Sequence, residues 1–168
     1  GQILQGDTLA LPKFIDSEGK LKTFNVVLAN PPYSIKTLDR VQFSADPYGR
    51  NIWGTPPQGC ADYAFQQHIL KSLHPRNGRS VTVLPPEVLF RDAEQEMRKN
   101  MIKQDLVEAV IGLGKNLFFG SSMECCLIVC RKNKPLERKG KILFIDGKNE
   151  IKLERSDAYL KEEHINKL

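Results

Sequence analysis

The 168-residue chain contains no apolar run near the roughly 20 residues needed to span a bilayer as a helix. Its opening stretch, Gly1-Gln2-Ile3-Leu4-Gln5-Gly6-Asp7, has neither the basic nor the apolar pattern of a secretory leader and reads as the middle of a fold. No Cys-x-x-Cys pair is present, which removes the turn-borne thiolate pairs that a structural zinc site requires. The four cysteines are Cys60, Cys125, Cys126 and Cys130, and the last three share one apolar segment. They read as small buried hydrophobes of a reducing cytoplasm. The three histidines, His68, His74 and His164, are scattered without a partner pattern, and no metal site is assigned. Internal repeats and low-complexity segments are missing. Gly112-Leu113-Gly114 follows an apolar run but lacks the third glycine and the helix start of a dinucleotide loop, so it is not read as a cofactor cradle. Charge of one sign is not in large excess. The formal net charge of +5 permits contact with nucleic acid without demanding it.

What is present is organised around Asn30-Pro31-Pro32-Tyr33. This tetrapeptide follows the apolar run Phe24–Ala29, which reads as a buried parallel strand. Two consecutive prolines end the strand and hold Asn30 and Pro31 in extended geometry, because each precedes a proline. An amide side chain, a stiff carbonyl and an aromatic ring therefore stand at the C-terminal end of a strand, where open α/β sheets bind ligands. The group suits methylation of a planar amine. Asn30 and the Pro31 carbonyl can each accept one N–H bond, favouring a pyramidal nitrogen with a localised lone pair, while Tyr33 offers a face to the ring. The same letters read without chemistry describe a proline-rich turn.

Length suits one domain on the prior of about 100–200 residues each. Ile3-Leu4 before Gly6-Asp7 predicts a short strand ending in an acidic turn. The long polar segment 34–59 carries Arg40, Arg50 and Trp53 among prolines and glycines. It reads either as a loop near nucleic acid or as a surface excursion with Trp53 tucked inward. Asp62 is expected to cap a helix reaching Leu73, with Ala61, Phe65, Ile69 and Leu73 on one face. A strand over 80–84, a helix opened by Asp92 with Ala93, Met97 and Met101 as its stripe, and strands over 106–113, 125–131 and 141–146 follow. The basic stretch 131–141 reads as a solvated turn, with phosphate contact as the alternative. A last helix is expected from Asp157. Strand–helix alternation predicts an α/β fold with a doubly wound, mostly parallel sheet.

On these residues the chain resembles the modification subunit of type I restriction-modification systems, and Asn30-Pro31-Pro32-Tyr33 resembles the catalytic motif of amino-group adenine DNA methyltransferases. The matching stretches are Gly6-Asp7-Thr8-Leu9, Val26 to Ser34, Asp46-Pro47-Tyr48-Gly49, Ala61-Asp62-Tyr63-Ala64-Phe65, Val83-Leu84-Pro85, Val88-Leu89-Phe90-Arg91, Ala109 to Leu113, Leu117-Phe118-Phe119-Gly120 and Ile142 to Asp146. The resemblance implies the C-terminal part of a Rossmann-like methyltransferase domain over 1–150 and the start of a C-terminal helical extension over 151–168. It implies S-adenosylmethionine as cofactor, N6 of adenine in DNA as target, and specificity and restriction subunits as partners, in the cytoplasm. Carried over, Asn30, Pro31, Pro32 and Tyr33 form the catalytic turn, and Asp7 and Asn30 meet the cofactor. Tyr33 and Phe119 enclose the target base, with Phe118 as the alternative second wall. The family's glycine-rich cofactor loop precedes the catalytic motif and has no counterpart here. The expectation is therefore a fragment with an open sheet edge, inactive alone. A glutamine-amide methyltransferase, which shares the catalytic motif, and an inactive binding or assembly module are the alternatives.

Overall fold

The computed structural model describes residues 1–33, 35–118, 122–154 and 157–168. In chain order the elements are β1 (Val26–Ala29), α1 (Arg40–Ser44), α2 (Asp62–Lys71), β2 (Arg79–Leu84), α3 (Gln95–Lys103), β3 (Val107–Leu113), β4 (Cys125–Arg131), β5 (Leu143–Gly147), β6 (Lys152–Glu154), β7 (Asp157–Tyr159) and α4 (Glu162–Ile165). Five strands form one sheet in the order β1-β2-β4-β3-β5, and β6 and β7 form a separate hairpin. The β1–β2 and β3–β5 pairs are parallel, whereas β4 is antiparallel to both β2 and β3. Four of the five strands thus share one direction. The reversal matters for function. The start of β4 lies at the same sheet end as the finish of its neighbours, with Leu84 opposite Cys126 and Leu113 opposite Cys125.

Helices α2 and α3 pack on the face of β4 that carries Cys126, Ile128 and Cys130. Tyr63, Leu70, Met97 and Met101 join those side chains and Trp53 in one buried cluster. Burial of such a cluster is the main stabilising term, at about 25 cal/mol per Å² of apolar area. Helix α2 is buried almost all round, including Gln66 and Gln67 at 0% exposure, so a four-residue stripe understates its burial. Gln67 shows why polar residues sit there: its Oε1 accepts from the Trp53 backbone N–H at 2.7 Å and its Nε2 donates to the Gly54 carbonyl at 3.1 Å. The segment after the Asn-Pro-Pro-Tyr turn is therefore folded against α2, with Trp53 inward. No helix among the described residues is long and apolar enough to cross a membrane.

Five sequence-based expectations change. Ile3-Leu4 is not a strand, because no partner strand lies beside it among the described residues and Ile3 is 99% exposed. Asp62 does not cap α2. The cap position is Ala61, whose φ of −82° and ψ of 2° are not the extended geometry of a side-chain cap, and the Asp62 carboxylate accepts instead from Arg91 at 3.2 Å. On the helix after Asp92, Ala93 is exposed and Glu94 takes the buried place. Asp157 lies in β7, because 157–159 pair with 152–154 and the Ala158 N–H also donates to the Asn116 carbonyl, and helix among the described residues of this stretch is confined to Glu162–Ile165. The basic stretch is more ordered than a solvated turn. Lys134 is buried and donates to Asp105 at 2.7 Å and to the Lys141 carbonyl at 2.8 Å, while Arg131 and Arg138 both pair with Glu108.

Candidate active site

The Asn-Pro-Pro-Tyr turn leaves the sheet at Ala29, beside the end of β2. Pro31 is buried beneath it, while Asn30 and Pro32 are exposed and Tyr33 is half-buried. Asn30, Pro31, Pro32 and Tyr33 line a pocket of about 360 Å³ whose other walls are Phe118, Met123 and Cys125. Sheet topology explains the meeting. Phe118 and Met123 lie on the connection from β3 to β4, and Cys125 opens β4, so the reversed strand delivers all three to the end where β1 stops. Of the two aromatic candidates for the second wall, Phe118 is in the pocket, and Phe119 lies outside the described residues. Met123 and Cys125 are pocket residues that the sequence reading left out. The signal was present in the alternation of β4, which sends Cys126 and Cys130 to the core and Cys125 to the other face.

Burial, reinforced by the neighbouring Cys125 and Cys126 thiols and the Asp62 carboxylate, pushes the Tyr33 phenol up to about 12. Burial likewise raises Cys125 to about 11. Both groups are neutral at physiological pH, so the pocket offers amide, ring and thiol surfaces and no fixed charge from these two side chains. Behind it, Arg91 bridges Asp62 at 3.2 Å and Glu94 at 2.9 Å. Burial lifts Glu94 to about 7, against the pull of the Arg91 charge.

Asp7 stands in a different place. Its Oδ1 accepts from the backbone N–H groups of Leu9 and Ala10, both at 2.9 Å, which fixes a tight turn. The carboxylate borders a cleft of about 330 Å³ with Leu4, Val26 and Leu28 among its walls. This cleft and the Asn30 pocket share no lining residue. They lie beside successive parts of β1, the first beside Val26–Leu28 and the second at the turn after Ala29. The outer edge of β1 has no strand partner among the described residues, and Leu28 on it is 76% exposed.

Arg50 holds the Asp7 turn from below. Its side chain, 2% exposed, donates to the carbonyls of Thr8 at 2.8 Å and Leu9 at 2.6 Å and pairs with Asp46 at 2.6 Å. Burial tends to raise the Asp46 carboxyl, but the hydrogen bonds and charge of Arg50 outweigh it and hold the group below its ordinary value. Arg50 also meets His68 Nδ1 at 3.4 Å. A guanidinium only donates, so Nδ1 must be the accepting nitrogen. Burial, and then the Arg50 charge, depress His68 to about 4.

This carries a pH prediction. Between about 4 and its ordinary 6.5, His68 is protonated in the unfolded chain and neutral in the fold. Stability therefore falls as pH falls through that window, by up to about 1.4 kcal/mol per unit for one group. Glu94 acts oppositely, since its raised value favours the fold as pH drops from about 7 toward 4.5. The two slopes offset each other in the wild type, and a variant separates them. His68→Asn should lose less stability than wild type between pH 7 and pH 5, measured by urea unfolding at both. Identical pH slopes would mean that His68 protonates freely in the folded chain.

The N-6 DNA Methylase family profile matches residues 1–168. The type I restriction enzyme MjaVII methylase subunit of Methanocaldococcus jannaschii is 33% identical over 177 residues, covering 99% of this chain and 29% of the subunit. The MpnII methylase subunit of Mycoplasma pneumoniae is 35% identical over 148 residues, covering 86% of this chain and 27% of its own length. Among solved structures, the type I restriction-modification methyltransferase subunit of Streptococcus thermophilus superposes with a TM-score of 0.84 at 34% identity, over 96% of this chain and 33% of that one. The chain thus spans a third or less of each of these proteins. Profile, identity and superposition agree, and the chain belongs to the N-6 DNA methylase family, with the α/β sheet of its methyltransferase domain.

Proposed function

We propose that this chain is the catalytic-motif part of a DNA methyltransferase that transfers a methyl group from S-adenosylmethionine to the exocyclic N6 amine of adenine. Its setting is a type I restriction-modification system, with DNA as substrate and specificity and restriction subunits as partners. One observation carries the reading: Asn30, Tyr33 and Phe118 border one pocket at the end of β1. The pocket pairs an amide acceptor with two aromatic faces, which matches a planar ring bearing one amine. Adenine has that shape, and it must leave the duplex to enter.

Within the pocket each group has a task. The Asn30 side-chain oxygen accepts one amine N–H and the Pro31 carbonyl the other, a demand that grows as the nitrogen becomes tetrahedral. Both acceptors sit on proline-stiffened backbone and need little reorganisation when the reaction occurs. Tyr33 and Phe118 hold the ring between them. Neither proline has a backbone N–H, so neither competes for the amine's lone pair. Bound S-adenosylmethionine supplies the electrophilic methyl carbon. The residues beside β1 fit its adenosine part. Asp7 Oδ2 has no partner among the described residues and can accept from a hydroxyl or amine, and Leu4, Val26 and Leu28 supply apolar wall.

The test uses the methylase subunit carrying this sequence, assembled with its specificity subunit, and S-adenosylmethionine labelled in the methyl group. Digestion of the DNA should release the label as N6-methyldeoxyadenosine. Label recovered in glutamine of a protein substrate, with none in DNA, would overturn the assignment in favour of an amide methyltransferase.

A further inference from the structure

We propose that Arg50 is a positioning residue for cofactor binding, fixing the backbone of the Asp7 turn and tying it to the segment that follows the catalytic motif. The inference rests on the reading that Asp7 meets S-adenosylmethionine.

Every donor direction of the Arg50 guanidinium is committed. Nη1 donates to the Thr8 carbonyl at 2.8 Å and to His68 Nδ1 at 3.4 Å, Nη2 to the Leu9 carbonyl at 2.6 Å, and Nε and Nη2 to Asp46 Oδ1 at 2.9 and 2.6 Å. The Leu9 N–H in turn donates to Asp7 Oδ1. The guanidinium therefore grips the residues that orient the Asp7 carboxylate, one peptide removed from it. The grip is itself preformed. Asp46 Oδ2 accepts from the Arg50 backbone N–H at 2.6 Å, and the chain turns between them through Gly49, whose φ of +63° suits glycine. Tyr48 and Phe43 lie against the guanidinium at 5.1 and 5.8 Å from their ring centres. A fully buried cation on a surface segment is costly unless every hydrogen bond is made. Here the bonds are spent on two backbone carbonyls of a turn 41 and 42 residues away in sequence.

The link runs in both directions. Phe43 and Gln42 of α1 border a small cavity of about 130 Å³ that Asp7, Leu9 and Ala10 also line, and Gln42 Nε2 donates to the Ala10 carbonyl at 3.3 Å. The segment after Tyr33 and the turn holding Asp7 thus form one hydrogen-bonded unit with Arg50 at its centre. Loss of the Arg50 fork frees the turn and lets the Asp7 carboxylate wander, with no change at Asn30 or Tyr33.

The experiment is calorimetric titration of S-adenosylmethionine into the whole methylase subunit carrying Arg50→Lys, Asp46→Asn or Asp7→Ala. Lysine keeps the charge beside Asp46 and loses the fork, and asparagine keeps shape and one acceptor. Stoichiometry reports the folded fraction, so a merely structural role lowers the number of sites and leaves the affinity of the remaining ones intact. Positioning predicts near-full stoichiometry with affinity weakened about 10-fold in Arg50→Lys, the equivalent of one charge-assisted hydrogen bond. Asp46→Asn should shift in the same direction, and kcat at saturating cofactor should stay within a factor of about two because the transition-state contacts are untouched. Wild-type affinity in Arg50→Lys together with a loss in Asp7→Ala would overturn the inference and leave the cofactor reading standing. Wild-type affinity in Asp7→Ala would remove the cofactor reading itself, and the inference with it.

Discussion

Replacing Asn30 by alanine in the whole methylase subunit is expected to lower the rate of methyl transfer by about 100–1,000-fold, the usual cost of removing one preorganised transition-state acceptor. The size of the effect follows from timing. A conjugated amine in the ground state is flat and gives little lone-pair density, so its hydrogen bonds to Asn30 are ordinary. As the nitrogen turns tetrahedral its N–H groups become more acidic, and the bond to the Asn30 oxygen strengthens. The interaction is stronger in the transition state than in the complex, and its loss falls on kcat. DNA affinity should change little, because a large share of protein–DNA affinity comes from phosphate contacts of Lys and Arg, and Asn30 carries no charge. The position is forgiving in structural terms: Asn30 is exposed, at the end of a strand closed by two prolines, so alanine leaves the fold intact. Single-turnover methylation with a parallel DNA-binding titration checks both halves. Near-normal rates in the variant would show that another group carries the amine.

Tyr33 should divide cleanly between two variants. Tyr33→Phe keeps the ring, and its expected activity is close to wild type, since the phenol is neutral and held up to about 12 by burial first and by neighbouring thiols and Asp62. Tyr33→Ala removes one wall of the pocket that Phe118 faces. Base–aromatic stacking is worth about 1–3 kcal/mol per base, so the alanine variant should lose about 5- to 150-fold in kcat/KM. The loss should appear in the step that captures the extruded base. If phenylalanine is as damaging as alanine, the hydroxyl has a chemical role and stacking does not explain the residue.

How much of this was legible before the structure depends on the range of each interaction. The stop imposed by Pro31 and Pro32 is a local effect and stands as read, whereas the strand before Asn30, expected to be buried over Phe24–Ala29, spans Val26–Ala29 at the sheet edge with Val26 and Leu28 exposed, because no strand among the described residues covers its outer side. The strand over 125–131 was also plain, because β-branched and apolar residues run unbroken there. What the sequence did not reveal is set by contacts distant along the chain. Asp62 looked like a cap from its neighbours, but its carboxylate answers to Arg91, 29 residues later. Ala93 looked like core by spacing, yet burial falls on Glu94 because Arg91 is there to receive it. Arg50 read as one basic residue in a long polar loop, and only the fold brings the carbonyls of Thr8 and Leu9 to its fork. Two aromatics beside a glycine suggested a wall, with Phe119 the first choice and Phe118 the alternative; Phe118 lines the pocket, and Phe119 lies outside the described residues. Cys125 and Met123 were harder: their place in the pocket follows from the reversed direction of β4, which composition does not disclose.

The central claim is that the target adenine is held between Tyr33 and Phe118 with its amine at Asn30. It is tested most directly by photocrosslinking the methylase subunit, assembled with its specificity subunit, to duplex DNA carrying 5-iodouracil in place of that adenine. Irradiation followed by peptide mapping should place the crosslink on Tyr33 or Phe118, and Tyr33→Ala should move it to Phe118. A crosslink confined to residues away from the Asn30 pocket, in a complex that still methylates the unmodified site, would contradict the account.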